Sequence, residues 1–541
     1  MEKIFFKLII PVNFNYFWCF NSFKKLIYMN LKITLFIILI ITSLTCLSQN
    51  PGSLDSTFGT NGKVTTDLYG YQEFYDMAIQ SDGKSVHVGR ARIGGSGGDY
   101  NFCVFRYNED GTIDTTFGAN GGVAIDILDA GGFDEALAVV IQPDGKIIAG
   151  GSATLSASNS DSHFALVRLN TDGSLDTTFG TNGKTTFTVG NSGPADKIYN
   201  LTLQSDGKII AVGQARNSGT LGSFAITRLN ADGTLDGEFS NDGKLTVHFN
   251  NSINTALATR IEPDGKIIVG GGDGSDLGLV RCFDDGSIDT SFGTNGKISF
   301  ETSDTDFSFS LSQVAFQPDG KAIVLGKVSN DVAMCRVNVD GTLDTDFGIN
   351  GRVQTDIDNS SLDDGSTGIL FDSDGNIIVT ALCNTGGVRY FGVLRYTNEG
   401  ALDTSFSNDG IVLTNFLSGF NSATSAAFQS DGKLLVSGFA GFSFQTHSAV
   451  ARYHTGVTLG VTALEDTTLK VYPNPTSNIV TIESQRSSLI NNSFNVFDQL
   501  GRVVLSGKIG DQMEHQIDLS QFDSGIYYLL ISDNVYRLVK Q

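Results

Sequence analysis

One phrase, repeated seven times, constrains this chain more than any other feature. In its clearest copy, Phe164 to Lys184, it reads FALVRLNTDGSLDTTFGTNGK. An apolar strand ends on Arg168, an Asp-Gly turn follows, then Leu175-Asp176, Phe179-Gly180 and a second turn into Lys184. Copies of the Leu/Ile-Asp-x-x-Phe core begin at Leu54, Ile113, Leu175, Leu235, Ile288, Leu343 and Leu402, in steps of 53 to 62 residues. Between them recurs an Asp-Gly-Lys turn flanked by apolar strands, at Asp82, Asp144, Asp206, Asp264, Asp319, Asp374 (followed by Gly375-Asn376) and Asp431. Self-similarity at a fixed period marks a repeat architecture before any local signal is weighed.

Each unit supplies four short strand candidates. In the first unit they are Gly62–Asp67, Tyr75–Gln80, Ser85–Gly89 and Phe102–Tyr107. Asp-Gly tolerates the positive φ of a tight hairpin, so Ser81 to Lys84 joins the second strand to the third. The run Lys208 to Gly213 is nearly all apolar and β-branched, as a strand buried on both faces would be. A small sheet with two apolar faces cannot bury itself alone, and radial stacking solves that problem. The expected fold is all-β, a seven-bladed β-propeller over residues 49–456.

The ends of the array argue for a closed ring. The last unit ends on the strand bearing Arg452 with no Leu-Asp phrase after it, and the first begins at Leu54 with no Arg strand before it. Seven arginines (Arg106, Arg168, Arg228, Arg281, Arg336, Arg395, Arg452) then match seven aspartates (Asp114, Asp176, Asp236, Asp289, Asp344, Asp403, Asp55) only if the ends meet. Arginine–carboxylate pairs are expected at each corner, because a planar guanidinium grips a carboxylate with two hydrogen bonds. The repeated Phe58, Phe117, Phe179, Phe239, Phe292, Phe347 and Phe406 read as core between units.

Residues 1–48 read as an export segment. From Met29, the expected true start, a short charged stretch precedes an apolar run, Ile33 to Ile41, and small polar residues up to Ser48. This is the layout of a signal peptide, 29–48, with cleavage between Ser48 and Gln49. The run is shorter than the roughly 20 residues a span requires, so no stable transmembrane anchor is expected. Without residues 1–48 the chain keeps 31 basic and 57 acidic residues, a net of −26. Such a surface repels phosphate backbones and argues against nucleic acid as a partner. Cys103, Cys282, Cys335 and Cys383 lie scattered in apolar strands and read as buried free thiols.

The phrases R-[LY]-N-x-D-G-x-[LI]-D-x-x-F-[GS]-x-[ND]-G and Q-[SP]-D-G-K resemble the delta-60 repeat family of bacterial surface and secreted proteins, over residues 51–456. That resemblance implies repeat architecture rather than a particular activity. Residues 457–469 read as a linker. From 470 the chain shows short alternating strands, expected to form a small Ig-like antiparallel β-sandwich. Tyr472-Pro473-Asn474-Pro475, Asp498 to Gly501-Arg502, Gly525-Ile526-Tyr527 and a basic last strand with Lys540 resemble the C-terminal sorting domain of type IX secretion cargo. The resemblance implies export across the outer membrane of a Bacteroidetes-type cell. It also implies the secretion machinery and a sortase-like protease as partners, with release or linkage to surface lipopolysaccharide.

Chemistry is sparse. His87, His163, His248, His447, His454 and His515 show no zinc spacing, and no nucleophile elbow, P-loop or Cys-x-x-Cys is present. No cofactor is expected, except that Asn170-x-Asp172-Gly173-x-x-Asp176 offers calcium-like oxygen spacing. It lacks the twelfth-position glutamate, and Asp-Gly is also what a turn requires. The first functional expectation is a secreted or surface protein of binding, adhesion or scaffold type, recognising glycan, protein or matrix. The alternative is an exported hydrolase or lyase acting on polysaccharide at the propeller mouth. An enzyme predicts an unrepeated ionisable cluster at one mouth, a binder exposed aromatics or a polar groove, and a scaffold seven equivalent loops.

Overall fold

The computed structural model describes residues 50–541 except 95–98, 130, 155–160, 192–194, 218–221, 250–252, 275, 303–308, 358–361, 418, 443–444, 457–468, 473–475, 477, 485–492, 498–502, 509–513, 523–524, 532–533 and 541. In the third repeat, Lys197–Leu203, Ile209–Ala215, Ser223–Leu229 and Lys244–Val247 pair in chain order as one antiparallel sheet. The first two are joined through Asp206-Gly207: Gln204 N–H donates to the Lys208 carbonyl at 2.9 Å, and Asp206 Oδ1 accepts the Lys208 N–H at 3.1 Å. Ser223–Leu229 is buried along its whole length, which is why its sequence carries no polar alternation. Seven sheets of this kind follow one another between Lys63 and Tyr453, an all-β, propeller-like repetition.

The sheet and the sequence repeat are offset by one strand. The strand expected over Gly62–Asp67 forms as Lys63–Thr66, but it does not join the strands that follow it. It pairs with Gln445–Tyr453, Lys63 opposite Ala451, and becomes the outer strand of the last sheet. The fourth strand of the first sheet is instead Gly122–Ile125, opposite Phe102 to Phe105. The cause is the turn after each repeated Phe. Gly180, Asn182 and Gly183 all take positive φ, reversing the chain onto the Arg strand that precedes it, where Arg168 N–H donates to the Gly183 carbonyl at 3.0 Å.

The first strands of the sheets touch in cyclic order. Gln72–Ile79 contacts Glu135–Ile141, and the series runs on through Lys197–Leu203, Asn254–Ile261, Phe309–Phe316 and Gly365–Phe371 to Phe420–Phe428, which contacts Gln72–Ile79 again. The apolar core lies between consecutive sheets. Phe74 and Phe105 of the first pack with Phe58, Leu435 and Val450 of the last.

The C-terminal segment holds two further sheets. Leu469–Tyr472, Ile479–Ser484 and Glu514–Asp518 form one, and Ser493–Phe497, Val503–Lys508, Gly525–Ile531 and Asn534–Lys540 the other. Val480, Ile482, Ile517, Phe494, Val496 and Leu529 from both sheets share one core. Leu469 already belongs to a strand, so the linker expected over 457–469 is shorter at its end. No helix among the described residues is long and apolar enough to cross a membrane.

Candidate functional site

The repeated charges are assembled into one motif per sheet junction. Arg168 Nε donates to Asp176 Oδ2 at 2.8 Å, and equivalent pairs join Arg106–Asp114 (2.8 Å), Arg228–Asp236 (2.7 Å), Arg336–Asp344 (2.6 Å) and Arg395–Asp403 (2.7 Å). Arg281 and Asp289 meet at 2.9 Å, and Arg452 and Asp55 at 2.8 Å across 397 residues of chain. Each guanidinium also lies over the Phe of its phrase, as Arg168 over Phe179 at 4.8 Å and Arg452 over Phe58 at 4.8 Å. Arg106 reaches the Thr171 carbonyl of the following repeat at 2.5 Å, and Arg336 the Asn398 carbonyl at 2.6 Å. The phrase is therefore a staple between sheets. A side chain on Gly173 (φ +86°) would meet the Phe117 ring and the Gly118 backbone, so that turn admits only glycine.

The second repeated phrase feeds the same staple, a role its turn chemistry conceals. Lys84, Lys146, Lys208, Lys321 and Lys433 place Nζ 2.8–3.2 Å from Asp114, Asp176, Asp236, Asp344 and Asp55. The sixth repeat has Asn376 instead, which turns to Asp372. Asp403 opposite it is correspondingly the most exposed of these aspartates. In the calcium-like loop, Asp172 Oδ1 accepts the Ser174 N–H and hydroxyl, while Asp176 is held by Arg168, Lys146 and Thr178.

The ring's last turn is split between the two ends of the repeat array. Gly52 N–H donates to the His454 carbonyl, His454 N–H to that of Ser53, and Ser407 N–H to that of Pro51. These bonds reproduce those of Asn170 to Ser174 and of Gly118 to Asp172. Of the expected processing and sorting residues, Ser48, Gln49, Pro473, Asn474, Pro475, Gly501 and Arg502 lie outside the described residues. Tyr472 is exposed, Tyr527 and Lys540 are buried, and Gly525 opens a strand opposite Lys540.

The unrepeated chemistry gathers along the axis. All seven first strands carry a β-bulge at one level, at Tyr75 in the first, Leu137 in the second and Tyr199 in the third. The matching shifts fall at Leu257, Ser312, Thr367 and Thr424. Residues at this level line a cavity of about 230 Å³. Two positions before the bulge stand Glu73, Glu135 and Lys197 on the first three sheets, against Thr255, Ser310, Gly365 and Ser422 on the rest. Arg90 lies 2.8 Å from Glu73 and 3.6 Å from Glu135, and Lys197 lies 2.5 Å from Glu135. Tyr71 and Tyr75 each donate to Glu73 at 2.7 Å. Tyr100 carries Arg90 at 4.8 Å and Arg92 at 4.5 Å, with Phe133 stacked on it at 4.7 Å. Nothing in the sequence marked this cluster, because its members come from three repeats and share no motif.

Titration divides these groups. Burial alone would raise the staple carboxyls, but hydroxyl, amide, lysine and arginine donors outweigh it and hold Asp55, Asp114 and Asp176 well below the usual range. Burial wins at Asp76, pushed up to about 6, and at Asp134, pushed up to about 7. The depressed group stabilises the fold above the unfolded carboxylate pKa, near 4, and that stability is lost as pH falls. The raised pair favours the fold at low pH, and its contribution is lost as pH climbs from near 4 through 6 and 7. Thermal unfolding followed by circular dichroism should therefore show maximal stability at mildly acidic pH, falling steeply below it and gently above it. A second acidic group, Asp331, Asp356 and Asp364, brings carboxylate oxygens within 4.8 Å of one another.

A family model described as a domain of unknown function (DUF5122) β-propeller matches residues 80–117, 142–179, 204–239, 262–292, 317–347 and 373–406. Each match runs from the Asp-Gly-Lys turn to the repeated Phe; the seventh such unit is divided between Gln429 and Phe58. A model described as a secretion system C-terminal sorting domain matches residues 470–541. No curated protein matches. Among solved structures, the chain is similar to virginiamycin B lyase from Staphylococcus aureus at 11% identity and a TM-score of 0.39, over 72% of this chain and 98% of that one. It is similar to a Lactobacillus plantarum protein at 12% and 0.40, over 80% and 99%. A Dyadobacter fermentans protein described as of unknown function gives 13% and 0.38, over 73% and 99%. The chain carries DUF5122 β-propeller repeats of delta-60 type and ends in a type IX secretion sorting domain.

Proposed function

We propose that this is an exported, non-enzymatic binding protein, a seven-bladed propeller followed by a small Ig-like sandwich, acting at the cell surface or in the medium. In this reading a signal peptide over 29–48 is removed, and a sortase-like protease processes the tail after outer-membrane passage. The observation that carries the reading is a division of labour among charges. The repeated Arg, Asp and Lys are consumed in staples, while one group of unrepeated charges, Glu73, Arg90, Arg92, Glu135 and Lys197, gathers on the first three sheets. There they are closed on each other: Glu73 and Glu135 hold Arg90, both tyrosine hydroxyls donate to Glu73, and burial first, then Glu73, pushes Tyr71 and Tyr75 above the usual phenol range. Such a network presents a rigid, mixed-charge aromatic surface suited to a glycan or protein ligand, and it frees no base or nucleophile.

The expected result is that purified exported protein is retained on washed cells or their surface polysaccharide. Tyr71→Ala combined with Arg92→Ala, two partly exposed residues stacked at 5.0 Å whose loss leaves the staples untouched, should cut that retention at least about tenfold, the effect of losing one or two anchoring aromatic or arginine contacts. Unaltered retention sinks the site. A second reading, an exported polysaccharide hydrolase or lyase, is favoured by Asp76, whose carboxyl burial pushes up to about 6 in an axial cavity. New reducing ends or unsaturated sugars, abolished by Asp76→Asn, would replace the binding reading with that one.

A further inference from the structure

One residue past the bulges, the channel carries a collar in which polar side chains alternate with small ones. Asp76, Asn200, Gln313 and Ser425 come from the first, third, fifth and seventh sheets. Ala138, Ala258 and Gly368 come from the sheets between them, and their lack of bulk leaves the axis open.

Asp76 is the carboxylate of this collar, and its partners are neutral. Oδ2 accepts the Val139 N–H at 2.9 Å, and Oδ1 accepts the Ser425 hydroxyl at 2.9 Å. No lysine or arginine pairs with it among the described residues, in a chain whose other aspartates at the sheet junctions are each gripped by one or two cations. A carboxylate withdrawn from bulk water without a counter-charge is costly, so it either takes a proton or takes a cation. Asn200 belongs to the same lining, and its buried Oδ1 receives no hydrogen bond, an acceptor that rotation of the side chain would turn toward the cavity. The cavity of about 230 Å³ is smaller than drug-sized pockets. It suits an ion with part of its water shell, or an ammonium head. The chain's net charge of −22 concentrates cations around it.

We propose that the collar is a binding site for a compact cation, either an inorganic ion or a primary ammonium group, held at Asp76 with Asn200 as second acceptor. It is independent of what the mouth recognises. The titratable groups facing it are Tyr75 and Tyr199 in the cavity wall. Glu73, Arg90, Glu135 and Lys197, one level above, neutralise one another.

Two series of titrations on the purified exported protein separate the sources. Calcium and terbium(III) test the inorganic ion, with terbium luminescence sensitised by the two wall tyrosines. Methylammonium and glucosamine, against glucose, test the ammonium group by thermal shift. At least one series should saturate at pH 7.5 and raise the unfolding midpoint. Asp76→Asn should weaken that series at least tenfold. Asn200→Leu, which leaves the Asp76 bonds in place, should weaken it several-fold. Below pH 6, affinity should fall by about tenfold per unit as the carboxylate protonates. No saturation in either series overturns the proposal, as does glucose matching glucosamine with no metal response. A terbium signal that survives Asp76→Asn and Asn200→Leu but is lost on Asp364→Asn would place the ion at the Asp331 cluster and overturn it equally.

Discussion

Arg452→Ala is expected to destabilise the propeller by up to about 3–5 kcal/mol, the range for stranding one partner of a buried ion pair, less what Lys433, 3.2 Å from Asp55, still compensates. The arginine holds Asp55 through Nε and Nη2, both at 2.8 Å, and Asp55 is only 1% exposed. The same guanidinium donates to the Thr57 hydroxyl at 3.0 Å and to the Glu109 carbonyl at 2.5 Å. Lysine would keep the charge and lose the fork, so Arg452→Lys should recover only a minor part of the loss. The informative comparison is Arg281→Ala. Its guanidinium is more exposed, at 17% against 5%, and the supporting Lys266 stands off at 3.5 Å. That substitution weakens one junction inside a continuous chain, whereas Arg452 joins the two ends. Urea unfolding should therefore show the larger midpoint shift for Arg452→Ala. Amide exchange should accelerate first in Lys63–Thr66, the strand that closes the last sheet. Equal shifts for the two variants would mean that the closing junction has no special weight.

The parts of this architecture that were legible in the sequence are those written seven times. The Arg strand, the Leu-Asp phrase and the missing half-phrase at each end point to junctions and to a contact between Arg452 and Asp55, and the structure places those two side chains together. The offset between repeat and sheet was not legible, because Lys63–Thr66 has the same pattern whether it pairs forwards or backwards. Only the three positive-φ residues of the following turn decide it. The lysine of Asp-Gly-Lys read as turn punctuation, since its partner lies about 30 residues away, Lys84 to Asp114 for instance. The axial cluster was illegible for a different reason. Glu73, Arg90, Tyr100, Glu135 and Lys197 are ordinary strand residues in their own repeats, and only the cyclic stacking of first strands makes them neighbours. Repetition reveals what holds such a ring together and hides what each ring does differently.

Removing residues 470–541 is expected to abolish export while leaving the propeller folded, the largest functional effect that one change to this chain should produce. The sorting domain has its own core, drawn from Val480, Ile482, Phe494, Val496, Ile517, Leu519 and neighbours, and none of the propeller's core clusters draws on it. Among the described residues its loss therefore takes no member from the sheets' core clusters. The unfolding midpoint of residues 49–456, prepared from the cytoplasm of a heterologous host, should match that of the propeller in residues 49–541 prepared the same way to within about 2 °C, the shift that less than 1 kcal/mol would cause in a domain this large. In a type IX-competent cell the truncated chain should be absent from the medium and from the outer surface, as judged by immunoblot and by protease shaving of intact cells. A milder lesion inside the tail separates recognition from folding. Leu538 is fully buried in the last strand, so Leu538→Asp should unfold the tail and stop export, whereas Ser506→Asp, at an exposed position of the strand Val503–Lys508, should leave export intact. Surface delivery of the truncated chain would mean that the propeller carries an address of its own. Loss of a stable propeller on truncation would mean that the two modules fold as one.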